Sequence, residues 1–204
     1  MNDSDKKLLC EAQDFVSSVA SAVANIKVKT GFSRAVGALV HSRGKIVTTG
    51  LGKAGHAAQK TASSLCSLGF SACYLHPADA SHGDIGIIEP EDVLMAFSTS
   101  GKTREVLETI KLARKLKVGC VIAITSHPNA PIREIADVEV DMGMVREAGH
   151  LGLAPTTSII IMLVLADAMG TIAARMRGLT PEEFATRHHG GYLGKKARRK
   201  CCGR

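Results

Sequence analysis

Two spacings of apolar residues alternate along this chain. Over residues 5–26, Leu8, Leu9, Ala12, Phe15, Val16, Val19, Ala20 and Val23 recur every three or four positions. That spacing is one face of a helix. A second helix is predicted over residues 33–41. The pattern then shortens. Lys45-Ile46-Val47-Thr48-Thr49 and residues 72–75, 93–97 and 118–125 are short strand-like segments, and Val138-Glu139-Val140 is a weaker one, all bounded by polar or glycine-rich stretches, which predicts five strands. Helical spacing returns from Gly55 to about residue 68, over 102–117, near 131–136 and over a long stretch from 156 to 176. Thr180-Pro181-Glu182-Glu183 reads as a further helix start: a capping hydroxyl, proline at the first helical position and two acids.

Strands alternating with helices predict a parallel sheet covered on both faces. In such sheets ligands sit at the carboxyl ends of the strands. The 204 residues suit one core, so residues 1–194, with the N-terminal helices of 5–42, are expected to form one domain. No internal repeat or linker interrupts them.

Composition narrows the function classes. Aromatic residues are 3% with no Trp, so the core is aliphatic and base stacking on aromatic platforms is disfavoured. The net charge of +7 looks like a nucleic-acid signal, but six basic residues and no acid fall in the last ten positions. The remainder carries +1, and residues 195–204 are read as a basic, solvated tail. The six cysteines form no Cys-x-x-Cys pair, and Met1-Asn2-Asp3-Ser4-Asp5 does not open a signal peptide. A reducing cytoplasm is the expected location. Cys66, Cys73 and Cys120 are expected in apolar packing, and Cys201-Cys202 at a frayed end. Residues 158–169 are very apolar, but Asp167 interrupts them and the run falls short of the ~20 residues of a membrane span. A buried helix is expected and no membrane partner.

Chemistry concentrates at two strand ends. Ser98-Thr99-Ser100-Gly101-Lys102-Thr103 lies between the third apolar run and a helix. Short hydroxyls and a glycine there form an anion cradle, because the free N–H groups and the dipole of the helix face it. Lys102, read as part of the first helical turn, adds positive charge. Gly50-Leu51-Gly52-Lys53-Ala54-Gly55 matches a dinucleotide-binding fingerprint, but no acid stands where the ribose needs one: the next strand ends Tyr74-Leu75-His76-Pro77. A nicotinamide or flavin is therefore disfavoured, and the glycines are read as letting backbone and Lys53 approach a small ligand. Gly101-Lys102-Thr103 lacks the first glycine of a nucleotide-binding P-loop, since Ala96 stands there.

Five segments in order resemble one known family. They are the Gly50 to His56 stretch; His76-Pro77-Ala78-Asp79-Ala80-Ser81-His82-Gly83-Asp84; Ser98-Thr99-Ser100-Gly101; Glu147-Ala148-Gly149-His150-Leu151-Gly152-Leu153-Ala154-Pro155-Thr156-Thr157-Ser158; and His188-His189-Gly190-Gly191-Tyr192-Leu193-Gly194. Together they resemble the sugar isomerase (SIS) domain of arabinose-5-phosphate isomerases, over residues 25–194. The resemblance implies a flavodoxin-like three-layer α/β sandwich around a five-stranded parallel sheet. It implies interconversion of ribulose 5-phosphate and arabinose 5-phosphate, feeding synthesis of the sugar acid Kdo of lipopolysaccharide. It implies a homotetramer and no required cofactor. Longer members append cystathionine-β-synthase-type repeats; with ten residues after Gly194 this sequence reads as a short member.

By the same resemblance Lys53, Glu147 and His188 fall on catalytic positions, His82 on a substrate contact and His76 on a position that binds an inhibitory zinc ion. The family's fourth catalytic position, a glutamate after the Ser-x-Ser-Gly turn, is Lys102 here. His189 and Tyr192 also depart from the usual last motif. Such an isomerase moves a proton between adjacent carbons through an enediol, which needs a base and a stabiliser of the developing oxyanion. Glu147 is the candidate base and Lys53 the electrostatic partner. Each also reads as an ordinary surface residue. Gly52, Ser98, Thr99, Ser100 and Thr103 are expected to bind the substrate, with the phosphate held by the hydroxyls and the Thr99 N–H. His188 lies so near the C-terminus that it is expected to reach a site at a subunit interface, though His188-His189 also reads as a helix C-cap.

Overall fold

The computed structural model describes residues 1–188 and 190–201, and the side chains of all but the last three of these. His189, Cys202 and Arg204 lie outside the described residues. Two helices, α1 (Asp3–Ala24) and α2 (Thr30–His41), lead into β1 (Ile46–Gly50), α3 (Gly52–Ser67) and β2 (Ala72–Leu75). A four-residue α4 (Pro77–Ala80) and a 3-10 turn (Asp84–Ile87) precede β3 (Val93–Phe97) and α5 (Arg104–Lys115). Then come β4 (Cys120–Thr125), α6 (Ile132–Ile135), β5 (Val138–Asp141), α7 (Thr157–Met176), α8 (Pro181–Arg187) and α9 (Tyr192–Cys201).

All five strands pair in parallel, in the order β2-β1-β3-β4-β5. Alternate residues feed two separate cores, as the period-2 geometry of a strand requires. On one face Ile46, Met95, Phe97, Ile122 and Ile124 pack with α2, α3 and α7. On the other, Val47, Leu94, Ala96, Val121 and Ala123 pack with residues of α5 and α6. Both faces are covered, which is why β3 and β4 read as near-continuous apolar runs, while edge strand β5, Val138-Glu139-Val140-Asp141, alternates apolar and acidic residues. The chain order reverses direction across the sheet between β1 and β3. That is the switch point at which an open parallel sheet leaves a crevice beyond its strand ends.

Several expectations need correction. The α1 stripe does not sink into the core: Val19 is buried, while Leu8, Leu9 and Val16 are more than half exposed. Its periodicity is real, but within one chain little covers its first half. Helix α5 starts at Arg104, not Lys102, because Gly101 takes φ +62° and Thr103 is extended. Lys102 is therefore outside the first helical turn. Of the cysteines, Cys66 is exposed and Cys73 and Cys120 half-buried; burial pushes both of the latter thiols up from their ordinary pKa. The basic tail is helical as far as Cys201, with Gly194 and Ala197 buried and α9 set against α8. The boundary placed at 194/195 thus falls inside a helix.

Among the described residues α7 alone is long and apolar enough to cross a membrane, at 20 residues. The sequence argument from length fails there. Packing gives the better one: Ile161, Met162, Leu165, Met169 and Ala173 are buried in the first core.

Candidate active site

The turn after β3 is built as a closed ring. Gly101 N donates to Ser98 O at 3.1 Å and to Ser98 Oγ at 3.0 Å. Ser98 Oγ and Thr103 Oγ1 lie 3.0 Å apart, and Lys102 N donates to Ser100 Oγ at 3.2 Å. A side chain on Gly101 would stand 2.5 Å from Ala130 Cβ and 2.9 Å from Thr125 Oγ1, so both its positive φ and its close packing demand glycine.

Because Thr103 Oγ1 faces Ser98, it does not cap α5. Among the described residues no protein acceptor takes the N–H groups of Thr99, Ser100 or Thr103, or those of Glu105 and Val106 in the first helical turn. Free donors at a helix N-terminus, with the dipole behind them, are an anion site. Ser98 itself is 2% exposed and engaged twice. It shapes the turn; the groups free to face an anion are those of Thr99, Ser100 and Thr103. Lys102 beside them is exposed.

The turn after β1 lies next to it, since Gly50 pairs with Phe97. Two of its glycines serve packing, contrary to the sequence reading. A Cβ on Gly55 would stand 2.7 Å from Gly50 O, and one on Gly50 would stand 2.9 Å from Ala54 O. Tyr74 Oη closes this corner by donating to Gly50 O at 2.8 Å. Gly52 alone is left-handed, at φ +60°, with open space around it. It turns the chain so that Lys53 enters α3 at the strand-end rim, exposed and without an ion-pair or hydrogen-bond partner among the described residues.

Glu147 sits in the long loop from β5 to α7, half-buried. Its Oε2 accepts from Thr156 N at 2.9 Å, Ser158 N at 3.1 Å and Thr156 Oγ1 at 3.3 Å. Burial pushes its pKa up, but hydrogen bonding at the start of α7 outweighs this and holds it below the ordinary value. Ser158 Oγ has no partner in hydrogen-bond geometry, so the two backbone N–H groups are the firm part of that effect. Glu147 is therefore a carboxylate at a helix N-terminus, ionised at neutral pH. It lines a cavity of about 640 Å³ with Ser18, Lys27 and Arg146. No residue of the 98–103 turn lines that cavity.

Ser126, which carries no sequence signature, joins the two loops. Its N–H donates to Thr99 O at 3.0 Å. Its Oγ donates to Gly143 O and accepts from Val145 N at 3.3 Å. Beside it, Met142 N donates to Thr125 O at 2.9 Å.

The remaining predicted residues are dispersed. His82 is exposed between α4 and the 3-10 turn, past the end of edge strand β2. His76 Nδ1 is 3.6 Å from Asp79 Oδ2, too long for a hydrogen bond, and has no other hydrogen-bond partner among the described residues. No group of three or more His, Cys, Asp or Glu able to hold a metal occurs among the described residues, so these do not build a closed zinc site around His76. His188 ends α8, stacked on Phe184 at 4.1 Å with Nδ1 2.9 Å from Phe184 O. It lies at the wrong end of the sheet for its own site. Helix α7 starts at the strand-end rim and runs back, placing Arg177 over Phe70, just before β2, and Arg187 against Gly69. A 20-residue helix is about 30 Å long.

A doubly wound sheet with a turn of unpartnered N–H groups at its switch point defines the class: an α/β domain whose candidate site lies on its strand-end rim. A model of the SIS domain matches residues 38–172, and the chain belongs to that family. The chain is 40% identical over 169 residues to arabinose 5-phosphate isomerase KdsD of Yersinia pestis, covering 83% of this chain and 51% of that protein. Against the KdsD of Pseudomonas aeruginosa it is 38% identical over 187 residues, 91% of this chain and 57% of the relative. The chain thus spans about half the length of the curated relatives it matches. Among solved structures, a candidate phosphosugar isomerase involved in capsule formation from Bacteroides fragilis superposes with TM-score 0.87 at 39% identity, covering 91% of this chain and 99% of that one. The c3406 protein of E. coli CFT073, in complex with arabinose 5-phosphate, gives 0.86 at 29% identity, covering 92% and 100%.

Proposed function

We propose that the chain is a cofactor-independent aldose–ketose isomerase that interconverts D-ribulose 5-phosphate and D-arabinose 5-phosphate. The observation that carries this reading is the free-donor turn at residues 98–103, at the switch point, with Lys53 beside it and the Glu147 loop tied to it through Ser126. The likeness to KdsD relatives and to a structure holding arabinose 5-phosphate supports the choice of sugar phosphate.

In this reading the phosphate occupies the N–H groups of Thr99, Ser100 and Thr103 and the Ser100 hydroxyl, near Gly52 and Lys102. Glu147 removes the proton beside the carbonyl and returns it to the neighbouring carbon. Lys53 offsets the charge that develops on the enediolate oxygen. His82 contacts sugar hydroxyls. Because His188 lies about a helix length from its own rim, the site takes His188 from a neighbouring subunit, as a tetramer with interfacial sites would provide. The product would supply Kdo synthesis, and the reaction belongs in the cytoplasm.

A second reading is a non-catalytic sensor of a phosphosugar. Lys102 in place of the family carboxylate and the depressed basicity of Glu147 favour it. Incubating the purified protein with pentose, hexose and heptose phosphates, and following interconversion by NMR, separates the two. Turnover of the pentose pair is expected; binding without turnover establishes the sensor, and turnover confined to a larger sugar overturns the substrate assignment.

A further inference from the structure

The anion turn and the Glu147 loop grow from strands that do not touch, β3 and β5, with β4 between them. An isomerase built on both must fix the distance from phosphate to base across that intervening strand. Ser126, one residue past β4 and 3% exposed, is placed to do this. Its backbone N–H holds Thr99 O on one side, and its hydroxyl holds both Gly143 O and Val145 N on the other. The neighbouring Thr125 adds its Oγ1 to Thr99 O at 3.3 Å. Gly143 is left-handed at φ +72° with open space around it, so local sterics do not set the loop's exit from β5. Hydrogen bonds do: Met142 N donates to Thr125 O at 2.9 Å, Asp141 Oδ1 accepts from Gly143 N at 3.1 Å, and the Ser126 hydroxyl holds the residues beyond.

We propose that Ser126 is a positioning residue that couples the phosphate turn to the loop bearing Glu147. This rests on the isomerase reading above. Ser126 touches no reacting atom; it acts through Gly143 and Val145, two to four residues before Glu147. Loss of the hydroxyl leaves the backbone bond to Thr99 in place, so phosphate binding persists. What loosens is the placement of Glu147 relative to the gripped substrate. A misplacement of about 1 Å can cost about 100-fold in rate, so the effect falls on kcat and not on KM.

The test uses the full chain as wild type and as Ser126→Ala, Ser126→Gly and Ser126→Thr. With D-arabinose 5-phosphate, the Ala and Gly variants are expected to lose roughly 10- to 100-fold in kcat with KM within about 3-fold, and Thr, which keeps a hydroxyl, to recover most of it. Amide exchange gives a second readout. In the wild type the sugar phosphate is expected to protect residues 98–103 and 143–149 together; in the Ala variant it protects only the first segment. Unchanged kcat, a loss confined to KM, or joint protection persisting in Ser126→Ala overturns the proposal. So does failure of the Ala and Gly variants to unfold cooperatively, since the role is then structural. If the wild type turns over no pentose phosphate, the isomerase reading falls, yet exchange measured with inorganic phosphate still decides for or against the coupling. No protection of residues 98–103 in the wild type sinks both.

Discussion

The turn after β3 and the loop after β5 serve one rim but are built on opposite plans. The first is six residues long, and its hydroxyls satisfy its own backbone. The N–H groups of Thr99, Ser100 and Thr103 are left without a protein acceptor among the described residues. The second runs from Met142 to Thr156 and fixes Glu147 by reaching to other elements: the start of α7 and the end of β4. The first turn is shaped chiefly by bonds within residues 98–103, although Ser126 N and Ile132 N also donate to Thr99 O and Gly101 O. A long loop presents a base only if distant partners hold it. Binding should therefore survive damage that ends turnover.

Glu147→Gln tests that asymmetry most severely. The amide keeps an acceptor for Thr156 N and Ser158 N, so the fold persists, but it cannot accept the substrate proton. Exchange of the substrate α-proton with deuterated water is expected to fall by about 10³-fold with phosphosugar affinity nearly unchanged; undiminished exchange puts the base elsewhere. Gly101→Ala attacks the other region. The new Cβ meets Ala130 and Ile132 at a left-handed φ, and a loss of about 2–4 kcal/mol on denaturant unfolding is expected, together with weakened binding. An unchanged midpoint would show that the turn relaxes freely.

Ser100→Ala is milder: about 10-fold weaker phosphosugar binding, worth ~1.4 kcal/mol, read by calorimetric titration. Equal affinity of both proteins removes the hydroxyl from the cradle. The smallest effect is on acid stability. The Glu147 and Asp141 pKa values both lie below their ordinary 4.5 and 3.8 when folded. Their stabilisation is whole above those values and is lost as pH falls through the depressed ones. Below about pH 4.5 the wild type should lose stability more steeply than Glu147→Gln; parallel curves would detach the carboxylate from the start of α7.

The same contrast explains what the sequence disclosed. All five strands and their alternation with helices were legible because the sheet is covered on both faces: β3 and β4 are near-continuous apolar runs, and the other three are short stretches bounded by turn residues, with β5 alternating apolar and acidic positions. The free-donor turn at residues 98–103 was legible because its hydroxyl- and glycine-rich pattern is local. The role of Ser98 as a shaper of the turn was not, since a serine looks the same whether it faces a ligand or its own backbone. Gly50 and Gly55 were misread for a like reason: closeness to Tyr74 and Ala54 appears only in three dimensions. Ser126 left no trace, because its partners lie 17 to 27 residues away in sequence. The exposed stripe of α1 shows the reverse case, a strong periodicity whose covering surface one chain does not hold. The 76–88 segment yielded its histidines but not its short helix and 3-10 turn, which are too brief to have a period.

The carboxylate that closes the first turn of α7 is the same group assigned to chemistry. Evolution cannot tune its appetite for protons in isolation. Stripping away the donors that keep Glu147 acidic would sharpen it as a proton acceptor, but would also unpin the start of the longest helix in the sheet's apolar interior. Proton affinity and durability are tied to one atom, Oε2, and a chain selected for a more basic carboxylate there would have to find its rigidity somewhere else.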